Sequence, residues 1–207
     1  MNDLFNYYKE NTGKVIDKWH HGFDVYEKHF SSWRGKEVTI LEIGVQNGGS
    51  LDMWKYYFGE NSRVIGIDID QKCEQFNSPE QNIFVRIGSQ NDPNFLNSIL
   101  QEFGTIDLVL DDGSHVPSDI AASFNHLYSL ISKNGCYIIE DIGFNTNPRV
   151  ASDENIKCLD NIKSVIKESE TKSLSIYPAM IAVERGSILW HREATGTEAL
   201  VTAPYTS

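Results

Sequence analysis

The sequence predicts an α/β fold: a mostly parallel, seven-stranded sheet with an antiparallel hairpin at its C-terminal end and helices on both faces. Three observations predict it. From Val38 onward short apolar runs alternate with stretches of helical periodicity. The runs are apolar at successive positions, as strands covered on both faces are. At 207 residues, with 40% hydrophobic and 23% charged side chains, the chain has the composition of one globular domain with a substantial core.

The elements follow in order. Residues 1–36 read as a helical lead-in or lid of two short helices, the second carrying Phe23, Tyr26, Phe30 and Trp33 on one aromatic stripe. That stripe is expected to pack on the main domain. The other readings make it, with Trp19, His20 and His21, the roof of a substrate pocket, or a subunit contact in a homo-oligomer. Residues 37–194 form the main domain, with strands expected at Val38–Ile43, Val64–Ile69, Ile83–Ile87, Ile106–Leu110 and Cys136–Ile139. Helices are expected at Ser50–Phe58, Pro93–Phe103, Ser118–Ile131 and near Asn155–Glu168. Ser50 is read as a helix cap, as is Asp92 before Pro93. Leu174–Glu184, a turn at Gly186 and Ile188–His191 read as the antiparallel hairpin. Residues 195–207 read as an irregular tail. Five parallel strands plus an antiparallel pair make a Rossmann-like sheet distinct from the six parallel strands usual for dinucleotides.

The net charge of −11 counts against a nucleic-acid partner, because a polyanion needs a basic surface. Cys73, Cys136 and Cys158 form no paired framework and suit a reducing compartment as core or surface thiols. The polar start and the lack of a long apolar stretch predict no membrane span and a cytoplasmic protein.

Ligands of open parallel sheets bind beyond the carboxyl ends of the strands. The first strand ends in Leu41-Glu42-Ile43-Gly44-Val45-Gln46-Asn47-Gly48-Gly49-Ser50. Gln46 stands where a dinucleotide loop wants its middle glycine, and Glu42 precedes the first one. S-adenosylmethionine carries a cationic amino group and a sulfonium but no phosphate, so an acidic strand with a loose glycine turn suits it better. Asp68, closing the second strand, suits the ribose hydroxyls. Ser89 and Gln90, after the third, suit the adenine edge.

The fourth and fifth strands end in Asp111-Asp112-Gly113-Ser114-His115 and Glu140-Asp141, bringing four carboxylates to one edge of the sheet. Such a cluster must be protonated, separated or hold a cation. All-oxygen donors point to Mg²⁺, with His115 close enough to serve as a base.

LEIGVQNGGSLDMWKYYF, GIDID, SQNDPNFL, DDGSHVPSDIAASF and YIIEDI together resemble the metal-dependent sugar O-methyltransferases of macrolide biosynthesis, and the lead-in from Asp17 to His21 is similar as well. The resemblance runs from about Asp17 to Glu184. It implies a class I methyltransferase fold that uses S-adenosylmethionine and Mg²⁺. It further implies that Asp112, Glu140 and Asp141 are metal ligands and His115 the general base. Asp111 is then a neighbour of the site on the cofactor side, not a ligand. The resemblance places Glu42 and the Gly44 loop near the methionine part of the cofactor and Asp68 at the ribose, and with Ser50, Ser89, Gln90 and Asp111 these are the candidate cofactor contacts. The chain is expected to depart from that family by lacking its long N-terminal domain. The segment after Ile142 (Gly-Phe-Asn-Thr-Asn-Pro-Arg) does not match its aromatic-rich lid. The macrolide itself is therefore not carried over, and the acceptor is expected to be a small sugar-type molecule, with a sugar nucleotide or cell-surface glycan as candidates and a catechol as a variant. The rivals from other classes are an NAD-dependent oxidoreductase and a non-catalytic cofactor-binding module.

Overall fold

The computed structural model describes residues 2–142, 153–167 and 170–186. Two helices, α1 (Asp3–Glu10) and α2 (Gly22–Phe30), precede the sheet. Then follow β1 (Val38–Ile43), α3 (Gly49–Phe58), β2 (Ser62–Asp68), β3 (Ile83–Ile87), α4 (Pro93–Phe103) and β4 (Leu108–Asp111). The chain continues through α5 (Pro117–Leu127), β5 (Cys136–Ile139), α6 (Asp153–Val165), β6 (Thr171–Tyr177) and β7 (Met180–Arg185). The strand order is β3-β2-β1-β4-β5-β7-β6, with β1 to β5 parallel and β7 antiparallel to both β5 and β6. The order reverses direction between β1 and β4, which opens a crevice at their carboxyl ends.

Strand periodicity divides the core into two layers. Val38, Ile40, Leu110 and Ile138 face α1, α2 and α3, where Phe23, Tyr26, Phe30, Trp54 and Phe58 pack. Leu41, Ile43, Val109 and Ile139 face α4, α5 and α6, against Leu96, Ile99, Phe124 and Ile162. Three members of the aromatic stripe, Phe23, Tyr26 and Phe30, are thus core residues, while Trp33 is half-buried. All three cysteines are free and buried.

Asp92 caps α4 as read, its side chain accepting from the Asn94 N–H at 2.9 Å. Ser50 does not cap α3. That helix begins one residue earlier, after Gly48 in the left-handed region (φ 72°), and the Ser50 hydroxyl donates to Glu42 instead. The buried Glu42 carboxylate needs donors, and a bond from the hydroxyl to the ionised group is stronger than a neutral one. The hairpin also differs from its reading. It turns at Pro178-Ala179, with Ala179 at φ 58°, so Leu174–Glu184 is two strands and not one. Proline lacks the N–H that a continuous strand would use there. Ile188–His191, the segment after Ile142 and the tail lie outside the described residues. Among the described residues no helix is long and apolar enough to cross a membrane.

Candidate active site

A cleft of about 710 Å³ opens over the carboxyl ends of β1, β2, β4 and β5. That is within the range of small-molecule sites. The turn after β1 forms one wall. Gly44 sits at φ +94°, where a Cβ would lie 2.1 Å from the Asp112 carbonyl oxygen, so only glycine lets the turns after β1 and β4 approach so closely. On the far side, residues 14–19 cross the carboxyl edge of the sheet. The carbonyls of Lys14 and Val15 lie against Gly49, and Val15 through Trp19 line the cleft.

Asp68 stands at the end of β2 with its carboxylate held by three backbone N–H groups. Val45 and Gln46 donate to Oδ2 at 2.8 and 3.0 Å, and Asp70 donates to Oδ1 at 2.8 Å. Partial burial opposes ionisation, but these bonds outweigh it and hold the carboxyl below its usual range. Asp68, Ser89 and Gln90 all line the cleft, as do Gly44 and Ser50. The Gln90 side chain is committed to the protein: its amide donates to Asp111 at 3.0 Å and its oxygen accepts from Ser114 N–H at 2.9 Å.

Glu42 and Asp111 do not reach the cleft wall. Alternation along the strands explains both. Asp111 falls on the α4–α6 face, fully buried, where Ser123 and Tyr137 donate to it at 2.6 and 3.1 Å. Burial pushes its carboxyl up to about 6 in spite of those bonds. Glu42 falls on the α1–α3 face, fully buried, accepting from Ser50 at 2.8 Å and Trp54 at 3.2 Å. Of the four carboxylates expected to converge, Asp111 therefore points away and Asp112, Glu140 and Asp141 remain together, with Glu42 lying beneath them.

The cluster also holds a cation that the sequence reading missed. The Lys18 side chain is 2% exposed, and its Nζ lies 2.5 Å from Asp112 Oδ2, 3.2 Å from Glu140 Oε1 and 3.3 Å from Glu42 Oε1. Tyr26 completes the network, its hydroxyl donating to Glu140 Oε1 at 2.6 Å. Burial drives the Glu140 carboxyl upward and works against the Lys18 charge, but the surrounding carboxylates prevail and keep Lys18 an ammonium. A signal was present: an acidic cluster needs a counter-ion, and the lead-in next to Trp19 contains a lysine.

Beyond Lys18 the remaining groups face outward. Asp112 Oδ1 is 3.9 Å and Asp141 Oδ2 is 3.8 Å from His115 Nε2. Ligand atoms of Asp112, His115 and Asp141 all lie within 4.8 Å of one another. The two carboxylates fit a hard divalent ion that keeps several waters, with the imidazole beside it. Glu140 also lines the cleft, with Oε1 taken by Tyr26 and Lys18. Both His115 (φ 56°) and Asp141 (φ 51°) occupy the left-handed region, an uncommon conformation that tends to mark functional positions. His126, three turns away on α5, bonds Asn97 at 3.0 Å, outside the cleft.

Comparison with known proteins agrees with this architecture. Residues 41–142 match a family model described as a methyltransferase domain. Demethylmacrocin O-methyltransferase of Streptomyces fradiae is 38% identical over 56% of this chain and 30% of its own length. Mycinamicin VI 2''-O-methyltransferase of Micromonospora griseorubida is 33% identical over 72% of this chain and 40% of its own. The chain thus spans 30–40% of the length of these two curated relatives. The solved MycE methyltransferase, described in complex with Mg, SAH and mycinamycin VI, superposes with a TM-score of 0.71 at 27% identity, over 90% of this chain and 53% of that one. The resemblance read from the motifs is borne out, as is the class I Rossmann-like fold.

Proposed function

We propose, on the premise that residues 41–142 match a methyltransferase domain, that the protein is an S-adenosylmethionine-dependent, Mg²⁺-assisted O-methyltransferase acting on a hydroxyl of a sugar or glycosylated small molecule. The observation that carries this reading is the juxtaposition of two half-sites in one cleft. Asp68 with the Gly44 turn lies on one side, and Asp112, His115 and Asp141 lie on the other. The relatives' names support it, since each is an O-methyltransferase.

Asp68 is held ionised and presents acceptor capacity to ribose hydroxyls. Ser89 and the backbone beside Gln90 border the base. Asp112 and Asp141 hold the metal, with Glu140 the third carboxylate from the same two strand ends. When bound, S-adenosylmethionine supplies a sulfonium methyl group and Mg²⁺ a Lewis acid that acidifies a nearby hydroxyl. His115 accepts the proton from the acceptor oxygen, which then displaces the sulfonium and takes the methyl carbon. Lys18 keeps Asp112 Oδ2 occupied, so that Oδ1 faces His115 and the open cleft.

Calorimetry with S-adenosylmethionine, its demethylated product and NAD tests the cofactor. Binding of the first two, weakened in Asp68→Ala by about 1–3 kcal/mol, is expected. Turnover should stop in excess chelator and return with Mg²⁺, while cofactor binding persists. Tight NAD binding with no response to S-adenosylmethionine, or full activity in chelator, would overturn the corresponding half of the reading.

A further inference from the structure

Trp19 exposes 59% of its surface in the wall of the cleft. Among the described residues the other exposed aromatic hydrophobe is Tyr56, whose ring stacks on Tyr7 with centroids 4.5 Å apart, whereas the Trp19 ring meets only that of His21, tilted by 33° with centroids 6.2 Å apart. Trp19 is not loose. The residue before it, Lys18, is buried among three carboxylates, and His21, two residues later, holds the Pro178 carbonyl at 2.9 Å through Nε2. Its indole N–H donates to Asp141 Oδ1 at 2.6 Å, while Asp141 Oδ2 faces His115 at 3.8 Å. A rigid apolar ring is therefore displayed to solvent one carboxylate away from the imidazole. What distinguishes this ring from a hydrophobe exposed elsewhere on the surface is its place in the wall of the cleft, where a flat apolar face beside a few fixed polar groups is what small-molecule sites present.

From this geometry we infer that Trp19 is the platform on which the acceptor ring stacks, and that the ring is a pyranose. A pyranose has one face of C–H groups and a rim of hydroxyls. Its C–H face covers the indole, and the rim hydroxyls then reach toward Asp141 and His115. The inference rests on the methyl-transfer reading of the cleft and adds to it the residue that selects the acceptor. It assigns Trp19 a direct contact with the acceptor, separate from its hydrogen bond to Asp141.

The test uses the full chain with Mg²⁺, S-adenosylhomocysteine and methyl α-L-rhamnopyranoside as probe. Saturation-transfer NMR and titration are run on the wild type, Trp19→Phe and Trp19→Ala. Saturation should reach the pyranoside C–H protons in the wild type. Trp19→Phe, which keeps an aromatic face and loses the N–H, should bind within about threefold, and Trp19→Ala at least about tenfold more weakly, the scale of a stacked tryptophan anchor. S-adenosylhomocysteine affinity should be the same in all three. Equal pyranoside binding by Trp19→Ala overturns the inference. So does Trp19→Phe as weak as Trp19→Ala, since the indole would then act through Asp141. Catechol binding in place of the pyranoside overturns it as well, leaving the methyltransferase reading standing. Failure of the wild type to bind S-adenosylhomocysteine instead sinks the methyltransferase reading, and the pyranoside titration still decides the role of Trp19.

Discussion

Two side chains at the cleft carry opposite kinds of consequence. His115 stands outside the buried network, 41% exposed at its side chain, so removing it disturbs little packing. His115→Ala should leave cofactor affinity nearly intact and cut turnover by roughly a hundredfold or more, the effect of losing a positioned base. His126→Ala, on the far side of α5, is the control and should turn over close to the wild-type rate. Equal rates for both variants, with chemistry limiting, would move the proton acceptor elsewhere. Lys18 is the reverse case. Three carboxylates surround its ammonium, and stripping one partner from a buried ion network costs about 3–5 kcal/mol. Lys18→Met should lower the free energy of unfolding by that amount at neutral pH, as read from denaturant unfolding. A shift below about 1 kcal/mol would mean that the carboxylates relax without their cation.

Among the elements, the contact between α2 and the C-terminal hairpin is set by Glu184 on β7. His29 Nδ1 lies 2.9 Å from it, Ser173 Oγ donates at 3.0 Å, and Lys172 Nζ is 3.3 Å away. Partial burial would raise the Glu184 carboxyl, but these partners outweigh it and hold the group below its ordinary value. A carboxyl depressed in the folded state stabilises the fold above its unfolded pKa, about 4.3, and the contribution fades as pH falls through the folded value. Glu184→Gln should therefore be less stable than the wild type at pH 7, with the gap closing below about pH 4 in parallel thermal melts. A gap independent of pH would assign the effect to packing. The hairpin also shows where reading by element failed. Pro178 interrupts an otherwise strand-like run from Leu174 to Glu184, and only the antiparallel pairing of Tyr177 with Met180 reveals that the run folds back on itself.

Across the whole molecule, the cleft is made by parts far apart in sequence: the crossing segment at residues 14–19, the turns after β1 and β2, and the ends of β4 and β5. A ligand bridging them adds its binding energy to the fold. At a hundredfold excess over its Kd, S-adenosylhomocysteine should stabilise the protein by about 2.7 kcal/mol. Denaturant unfolding with and without it measures this directly. If the segment at residues 14–19 closes over the ligand, amide exchange there should slow together with exchange in the turn after β1. Slowing at the turn alone would show that the crossing segment takes no part in binding.

The sheet, the α3 to α5 helices and the edge at which chemistry gathers were all legible in the sequence, because each rests on local pattern. Buried parallel strands are apolar throughout, and strand ends carry their acids a fixed distance from those runs. Asp68, Asp112, His115 and Asp141 lie where such reasoning puts them, in the cleft. Which face each acid takes was decided by tertiary structure. The one-residue step from Leu110 to Asp111 turns the latter away toward Ser123 and Tyr137, and the step from Ile43 back to Glu42 sends that carboxylate under α3. Lys18 and Trp19 could not be given their partners from local pattern, although Trp19 was legible as a candidate for the roof of a pocket. They meet Glu140 and Asp141 across 122 residues of chain, and long-range charge pairing of that kind leaves no periodic trace in a sequence.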